Sequence, residues 1–238
     1  MKRNKDKIAI LLAARSGSKR LPSKHFLQIR SNLKIIDICL LRLKKVKTVK
    51  NIILCTTKNT ADNKFLKICS KHKINIFRGS EKNVSKRLID CATENSLKTI
   101  VRVTADCPII DPTLIDKCIK LYNIKNCEYT SNVLELSYPD GLDVEVFSVN
   151  ALIKSQKLSK TNYNKEHVTS FIRKSKKFKK YSIKNSVNYS NRRWTLDYPE
   201  DYIFFKKVFK YFSKNIFFSW KDLIKAEKTN NELINLKN

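Results

Sequence analysis

Glycine is scarce in this chain: three residues in 238, at positions 17, 79 and 141. That scarcity excludes the two glycine-rich nucleotide loops, because G-x-x-x-x-G-K-[ST] and G-x-G-x-x-G each need a second glycine close by. Histidine is rare too, at 25, 72 and 167, with no H-E-x-x-H among them. None of the seven cysteines (39, 55, 69, 91, 107, 118 and 127) pairs with another at C-x-x-C spacing. The usual zinc signatures are therefore missing, and buried free thiols in a reducing cytosol are expected instead. No apolar run approaches the roughly 20 residues that span a bilayer. The Lys-rich start passes through one short apolar stretch into Arg15, which suits neither a signal peptide nor a membrane span. A cytoplasmic protein without membrane insertion is expected.

Acidic residues are few as well: 21 against 50 Lys and Arg, a formal net charge of +29. Such an excess admits a basic nucleic-acid-binding protein. The lysines are spread over helix surfaces, however, and no nucleic-acid module is recognisable. The charge reads as Lys-rich, Gly-poor residue usage, and no specific nucleic acid is expected as a partner; any binding should be weak and fade steeply with salt. Hydrophobic residues make up 42% of the chain, enough for a full core in a single domain of this length.

The chain is organised around its first strand and the loop that leaves it. Ile8-Ala9-Ile10-Leu11-Leu12-Ala13 is a continuous apolar run, as expected of a strand buried on both faces. The loop Ala14-Arg15-Ser16-Gly17-Ser18-Lys19-Arg20-Leu21-Pro22-Ser23-Lys24 then brings four cations among small residues. Small residues let backbone N–H groups approach an anion and the cations neutralise it, so the loop reads as a phosphate cradle or else as a solvated turn. Asp106 follows another apolar strand, 99–104, at the strand end where open α/β sheets bind ligands. A carboxylate opposite the cationic loop suits Mg²⁺ held against phosphate; a turn or helix-capping aspartate is the alternative.

Apolar periodicity places helices at 35–46, 61–72, 83–95 and 111–122, alternating with strands at 51–56, 74–77, 99–104 and 128–131. That alternation predicts an α/β fold: three layers, with a mostly parallel, mixed sheet between helices. Residues 1–7 read as a charged, frayed start. The second half is less regular. Helices are expected at 150–158, 166–174 and from Pro199 to about 212, and strands at 142–147, 180–183 and 193–196, before a tail at 219–238 with a short helix and a polar end. The strand at 142–147 alternates as if one face were wet, which puts Asp143 and Glu145 on one side and Leu142, Val144 and Val146 on the other. There is no internal repeat and no domain linker.

The first loop, with Phe77-Arg78-Gly79-Ser80, Val101 to Pro108, Tyr138 to Phe147, Glu166-His167-Val168-Thr169 and Thr195 to Asp201, resembles the cytidylyltransferases that make CMP-sugars. These include the N-acylneuraminate and Kdo enzymes, and in particular the spore-coat polysaccharide biosynthesis protein F type. The likeness covers about residues 7–208. It implies a Rossmann-like, nucleotide-diphospho-sugar transferase-like domain over 1–238, with a nucleotide half (7–135), an acceptor half carrying the second metal ligand (136–208) and the tail.

The resemblance also implies site residues. Arg15 and Lys24 match triphosphate-binding positions, with Ser18, Lys19 and Arg20 beside them. Asp106 matches a metal ligand, with Ala105 where relatives usually have glycine. Asp197, which on its own reads as a helix cap before Pro199, matches the second metal ligand, so Mg²⁺ or Mn²⁺ is the implied cofactor. Arg78, Ser80 and Arg87 are expected on the base and ribose side. Asp140, Asp143, Glu145, His167 and Arg193 are expected on the sugar side, with Glu166 near them and Arg193 facing an acceptor carboxylate. The implied reaction transfers CMP from CTP to a small sugar acid, releasing pyrophosphate, in surface polysaccharide or glycan biosynthesis. A homodimer is compatible with this reading. The rivals are a nucleotidyltransferase for a sugar or alditol phosphate, a glycosyltransferase on the same fold (which would usually show the Asp-x-Asp motif absent here) and, more distantly, the nucleic-acid binder.

Overall fold

The computed structural model describes residues 7–30, 32–213 and 215–237. Most of the charged start (1–6) and the last tail residue lie outside the described residues. In chain order, β1 (Ile8–Ala13) leads through the cationic loop to a small hairpin, β2 (Gln28–Arg30) and β3 (Leu33–Lys34). Then come α1 (Ile35–Leu43), β4 (Ile52–Thr57), α2 (Lys64–His72), β5 (Asn75–Gly79), α3 (Val84–Glu94), β6 (Thr99–Thr104) and α4 (Pro112–Lys125). The second half holds β7 (Tyr129–Ser131), β8 (Glu145–Ser148), α5 (Val149–Leu158), α6 (Asn162–Glu166), α7 (Ser170–Lys174), β9 (Lys180–Ser182), α8 (Pro199–Tyr211) and α9 (Trp220–Glu227).

One seven-stranded sheet runs in the order β5-β4-β1-β6-β8-β7-β9. β1 pairs in parallel with β4 and β6, Ala13 facing Cys55 on one side and Thr104 on the other. β8 is antiparallel to both of its neighbours. Alternate residues of β1 feed two cores: Ile10 and Leu12 pack with α1, α2, α4 and α8, and Ala9 and Leu11 with α3, α5 and α7. The expected three-layer, mostly parallel architecture is what the chain forms. The expected boundary between halves is not a spatial one, because β8 from the second half inserts between β6 and β7 of the first.

One element was missed and three expectations are corrected. The hairpin β2–β3 went unforeseen because its strands are too short to show a period. Of the helix expected at 166–174 only Ser170–Lys174 forms as α7, while Glu166 ends the earlier α6. The two are parted at His167–Thr169, where buried Val168 takes φ +51°, a left-handed conformation no helix continues through. The strand expected from Leu142 starts at Glu145. Before it, the Asn132 side chain takes the ladder's place, donating to the Leu142 carbonyl at 3.0 Å and accepting from the Val144 N–H at 2.8 Å. The segment 193–196 forms only a single bridge, Asp140 to Arg193.

That bridge is made tight by Gly141. Its φ is +103°, and a Cβ there would stand 2.2 Å from the Trp194 carbonyl oxygen, so only glycine fits the turn. The tail is stitched to the same region: the Arg193 N–H donates to the Asn235 carbonyl, and the Lys237 N–H to that of Asn191. All seven cysteines are buried free thiols, as expected.

Candidate active site

Parallel pairing brings the C-terminal ends of β1 and β6 side by side, so the loop at Ala14 and the turn at Ala105 share one edge. The Ala105 N–H donates to the Ala13 carbonyl at 3.0 Å, fixing the two together. Ala105 needs no left-handed backbone, so the missing glycine costs this turn nothing. The first loop reverses at Ser23 (φ +53°), and a short 3-10 turn at Lys24–Phe26 directs Lys24 inward. His25 anchors that turn by a 3.2 Å contact from Nδ1 to the Ala105 carbonyl. Its burial holds the imidazole down at about 4, so it is neutral near pH 7.

Lys24 joins two carboxylates. Its Nζ donates to Asp106 Oδ2 at 3.0 Å and to Asp197 Oδ1 at 2.9 Å. Arg20 Nη2 lies 3.1 Å from the same Asp197 oxygen, and its guanidinium stacks over the Tyr198 ring. Burial works to raise the Asp106 carboxyl, but the Lys24 ammonium prevails and holds it at about 2. Asp197 reaches the cluster because it is not the helix cap. The α8 N-terminus is capped by Asp201, whose Oδ2 accepts the N–H groups of Asp197 and Tyr198, both at 2.8 Å. The Leu196 N–H donates to the Asp106 carbonyl at 2.8 Å, tying the two carboxylate-bearing segments together.

Among the described residues no group of three or more His, Cys, Asp and Glu is arranged to hold a metal ion. The pair itself fits Mg²⁺ or Mn²⁺. Two hard oxygen donors already converge on one cation, and Mg²⁺ commonly takes one or two protein carboxylates and completes its shell with phosphate and water.

The other expected residues fall into three places. Arg15 is exposed and lies 3.6 Å from Glu166. It borders a cleft of ≈ 140 Å³ lined also by Gly17, Thr57, Asn59, Lys64 and Glu81. Lys19 is exposed, and Ser18 Oγ accepts the Leu21 N–H inside the loop. Arg78 shapes the cleft wall by donating to the Thr57 and Asn59 carbonyls. Ser80 Oγ accepts the Asn83 N–H, and buried Arg87 donates to the Ser80 carbonyl. A larger depression, ≈ 310 Å³, opens between α3, α5 and α6, lined by Ile89, Gln156 and three lysines; no carboxylate lines it.

On the expected sugar side, His167 is exposed and packs on the Tyr163 ring at 4.3 Å. Asp140 and Asp143 are half-buried. Two expectations are corrected. Glu145 is no solvated carboxylate: β8 lies inside the sheet, and Arg102 Nη1, the Tyr129 hydroxyl and the Thr169 hydroxyl all donate to it. Arg193 does not face open space; its two terminal nitrogens grip Asp201 at 2.7 and 2.8 Å, which holds the cap beside Asp197. Asp62 was missed. It accepts the Ser16 N–H at 2.7 Å and bonds from Thr56 and Thr57, pinning the first loop to β4. Only the run of Thr56-Thr57 before it hinted at this.

Burial, and after it the charges of Asp140 and Glu145, push the Asp143 carboxyl up to about 7, from 3.8 when free. Folding therefore takes up a proton between those values, and stability falls as pH rises through that window. Asparagine carries no such dependence. Asp143→Asn is expected to gain stability over the parent progressively from about pH 4 to pH 7, reaching on the order of 3 kcal/mol. Denaturant midpoints across the window check this; an advantage that does not grow with pH would refute it.

A family model described as cytidylyltransferase matches residues 9–230. An uncharacterized protein of Methanocaldococcus jannaschii is 36% identical over 211 residues, 87% of this chain and 84% of that one. The spore coat polysaccharide biosynthesis protein SpsF of Bacillus subtilis is 28% identical over 211 residues, 85% of this chain and 86% of its own. A solved cytidylyltransferase of Leptospira borgpetersenii superposes with a TM-score of 0.91 at 33% identity, covering 98% of each chain.

Proposed function

Because this chain belongs to the cytidylyltransferase family, we propose that it transfers CMP from CTP to a sugar acid and releases pyrophosphate. The observation that carries the reading is the convergence of Asp106 and Asp197 on one cation at the ends of β1 and β6. The cleft beside the first loop suits the nucleotide, with Arg15 at its edge, and Lys24 is read as a cation that meets the triphosphate. An acceptor hydroxyl attacks the α-phosphorus in line; the new O–P bond forms as the bond to the pyrophosphate oxygen breaks, and the hydroxyl proton passes to solvent. A divalent cation held by Asp106 and Asp197 would neutralise phosphate charge and ease ionisation of that hydroxyl. The chain's own part is positioning and charge balance, which is most of what such transfer requires. Asp201 fixes the direction of Asp197, and Asp62 fixes the loop.

The sugar-acid acceptor is read from the resemblance to cytidylyltransferases that make CMP-sugars. Asp140 and Asp143 offer hydrogen-bonding groups that suit sugar hydroxyls. The relative named for spore coat polysaccharide supports a place in surface polysaccharide synthesis. Pyrophosphate release over a panel of nucleoside triphosphates, sugar acids and sugar phosphates tests the reading. CTP with a sugar acid is expected to give turnover. Turnover with sugar or alditol phosphates alone would overturn the choice of acceptor.

A further inference from the structure

The point shared by Asp106 and Asp197 is taken by the ammonium of Lys24, whose side chain is 9% exposed. Arg20 stands 3.1 Å from Asp197. Two carboxylates are thus matched by two monovalent cations. Arg193 adds little, being 3.9 Å from Asp197 and committed to Asp201. A divalent cation entering alone would meet a spot with no net negative charge and would have to expel Nζ from both oxygens. A triphosphate changes the balance, because it brings negative charge and gives the ammonium a new partner. The backbone under Lys24 is anchored through His25 to Ala105, so the flexible four-carbon stem alone has to move.

We infer that Lys24 is an internal placeholder for the divalent cation: it holds the two carboxylates together in the nucleotide-free protein and yields them when a triphosphate draws its ammonium away. This rests on the reading of Asp106 and Asp197 as metal ligands. Metal ion and nucleotide then bind with positive coupling, and each strengthens the other by the same factor.

The test is Mn²⁺ alone, titrated into nucleotide-free protein and followed by electron paramagnetic resonance of the free ion. Lys24→Met and Lys24→Gln are both made, so that one poorly folding variant does not decide the result. Each is expected to bind free Mn²⁺ about 10- to 100-fold more tightly than the parent, within the usual range of coupling between two ligands. Adding Asp106→Asn should abolish the gain. In the parent, water proton relaxation should report tightly held Mn²⁺ only when CTP is present. Equal affinity of parent and variants for free Mn²⁺ would overturn the placeholder role and leave the metal site standing. Absence of Mn²⁺ binding in all of them, with and without CTP, would overturn both.

Discussion

Replacing Asp106 by asparagine is expected to cut pyrophosphate release on the order of 10³-fold while leaving the fold in place. Asparagine keeps the shape and still offers Lys24 a carbonyl oxygen. What it removes is a full negative charge, held ionised down to about pH 2 by the neighbouring ammonium. On the proposed function, a divalent cation at this pair would be left with one protein carboxylate, and the α-phosphate would lose charge neutralisation that in-line displacement depends on. The turn at Ala105 is fixed by its backbone bond to Ala13 and by the His25 ring against its carbonyl, which the substitution does not touch. Initial rates with CTP, read beside thermal melts, separate the two effects. A variant that melts like the parent and turns over like it would remove Asp106 from the chemistry.

Glu145→Ala should do the reverse, destabilising the protein by about 3–5 kcal/mol, the usual cost of stripping one partner from a buried ion pair. Three donors converge on this carboxylate: Arg102, Tyr129 and Thr169. Burial opposes its ionisation, but the Arg102 guanidinium overcomes that and holds the carboxyl below the ordinary glutamate value. Alanine would leave the Arg102 guanidinium without its carboxylate and the fully buried Tyr129 hydroxyl without an acceptor. Against a typical total of about 5–15 kcal/mol that is a large loss. Urea unfolding measures it, and the paired replacement Glu145→Leu with Arg102→Met should recover part of it, since the orphaned charge is then gone. Unchanged stability accompanied by a raised KM for the sugar would restore Glu145 to the acceptor site.

The fold and the centre of the site were legible because they rest on local signals. The unbroken apolar run at Ile8–Ala13, the cations after it and the strand-end Asp106 need no distant partner to be read. The buried charges were not legible in the same way. Alternation gave the correct side for Glu145 but assumed that side was wet; the segment at Thr169 closes over it, with Arg102 and Tyr129 reaching in from the neighbouring strands, and that is a property of the tertiary structure. Arg193 looked available because nothing in the sequence marks Asp201, on the far side of Pro199, as its partner. Arg42 drew no notice inside an apolar helix. It is nevertheless buried, and it donates to the carbonyls of Ile109, Ile110, Ile216 and Phe218, fastening the turn after Asp106 to the segment before α9. A sequence shows that such a side chain is polar, and only the tertiary structure shows which carbonyls will satisfy it.

The insertion of β8 between β6 and β7 bears on how enzymes of this shape diversify. A cassette of chain cannot be exchanged at residue 135 without taking a strand out of the middle of its neighbour's sheet, so nucleotide and acceptor preferences are not separable modules. If the turn around Asp143 and the break at His167 face the acceptor, as proposed, new acceptors would be reached by substitution in place. There the frame is already set by Gly141 and Val168 and tolerates few backbone changes. Recombination between distant relatives would tend to break the sheet before it altered the specificity, whereas point changes at the rim leave the triphosphate end untouched.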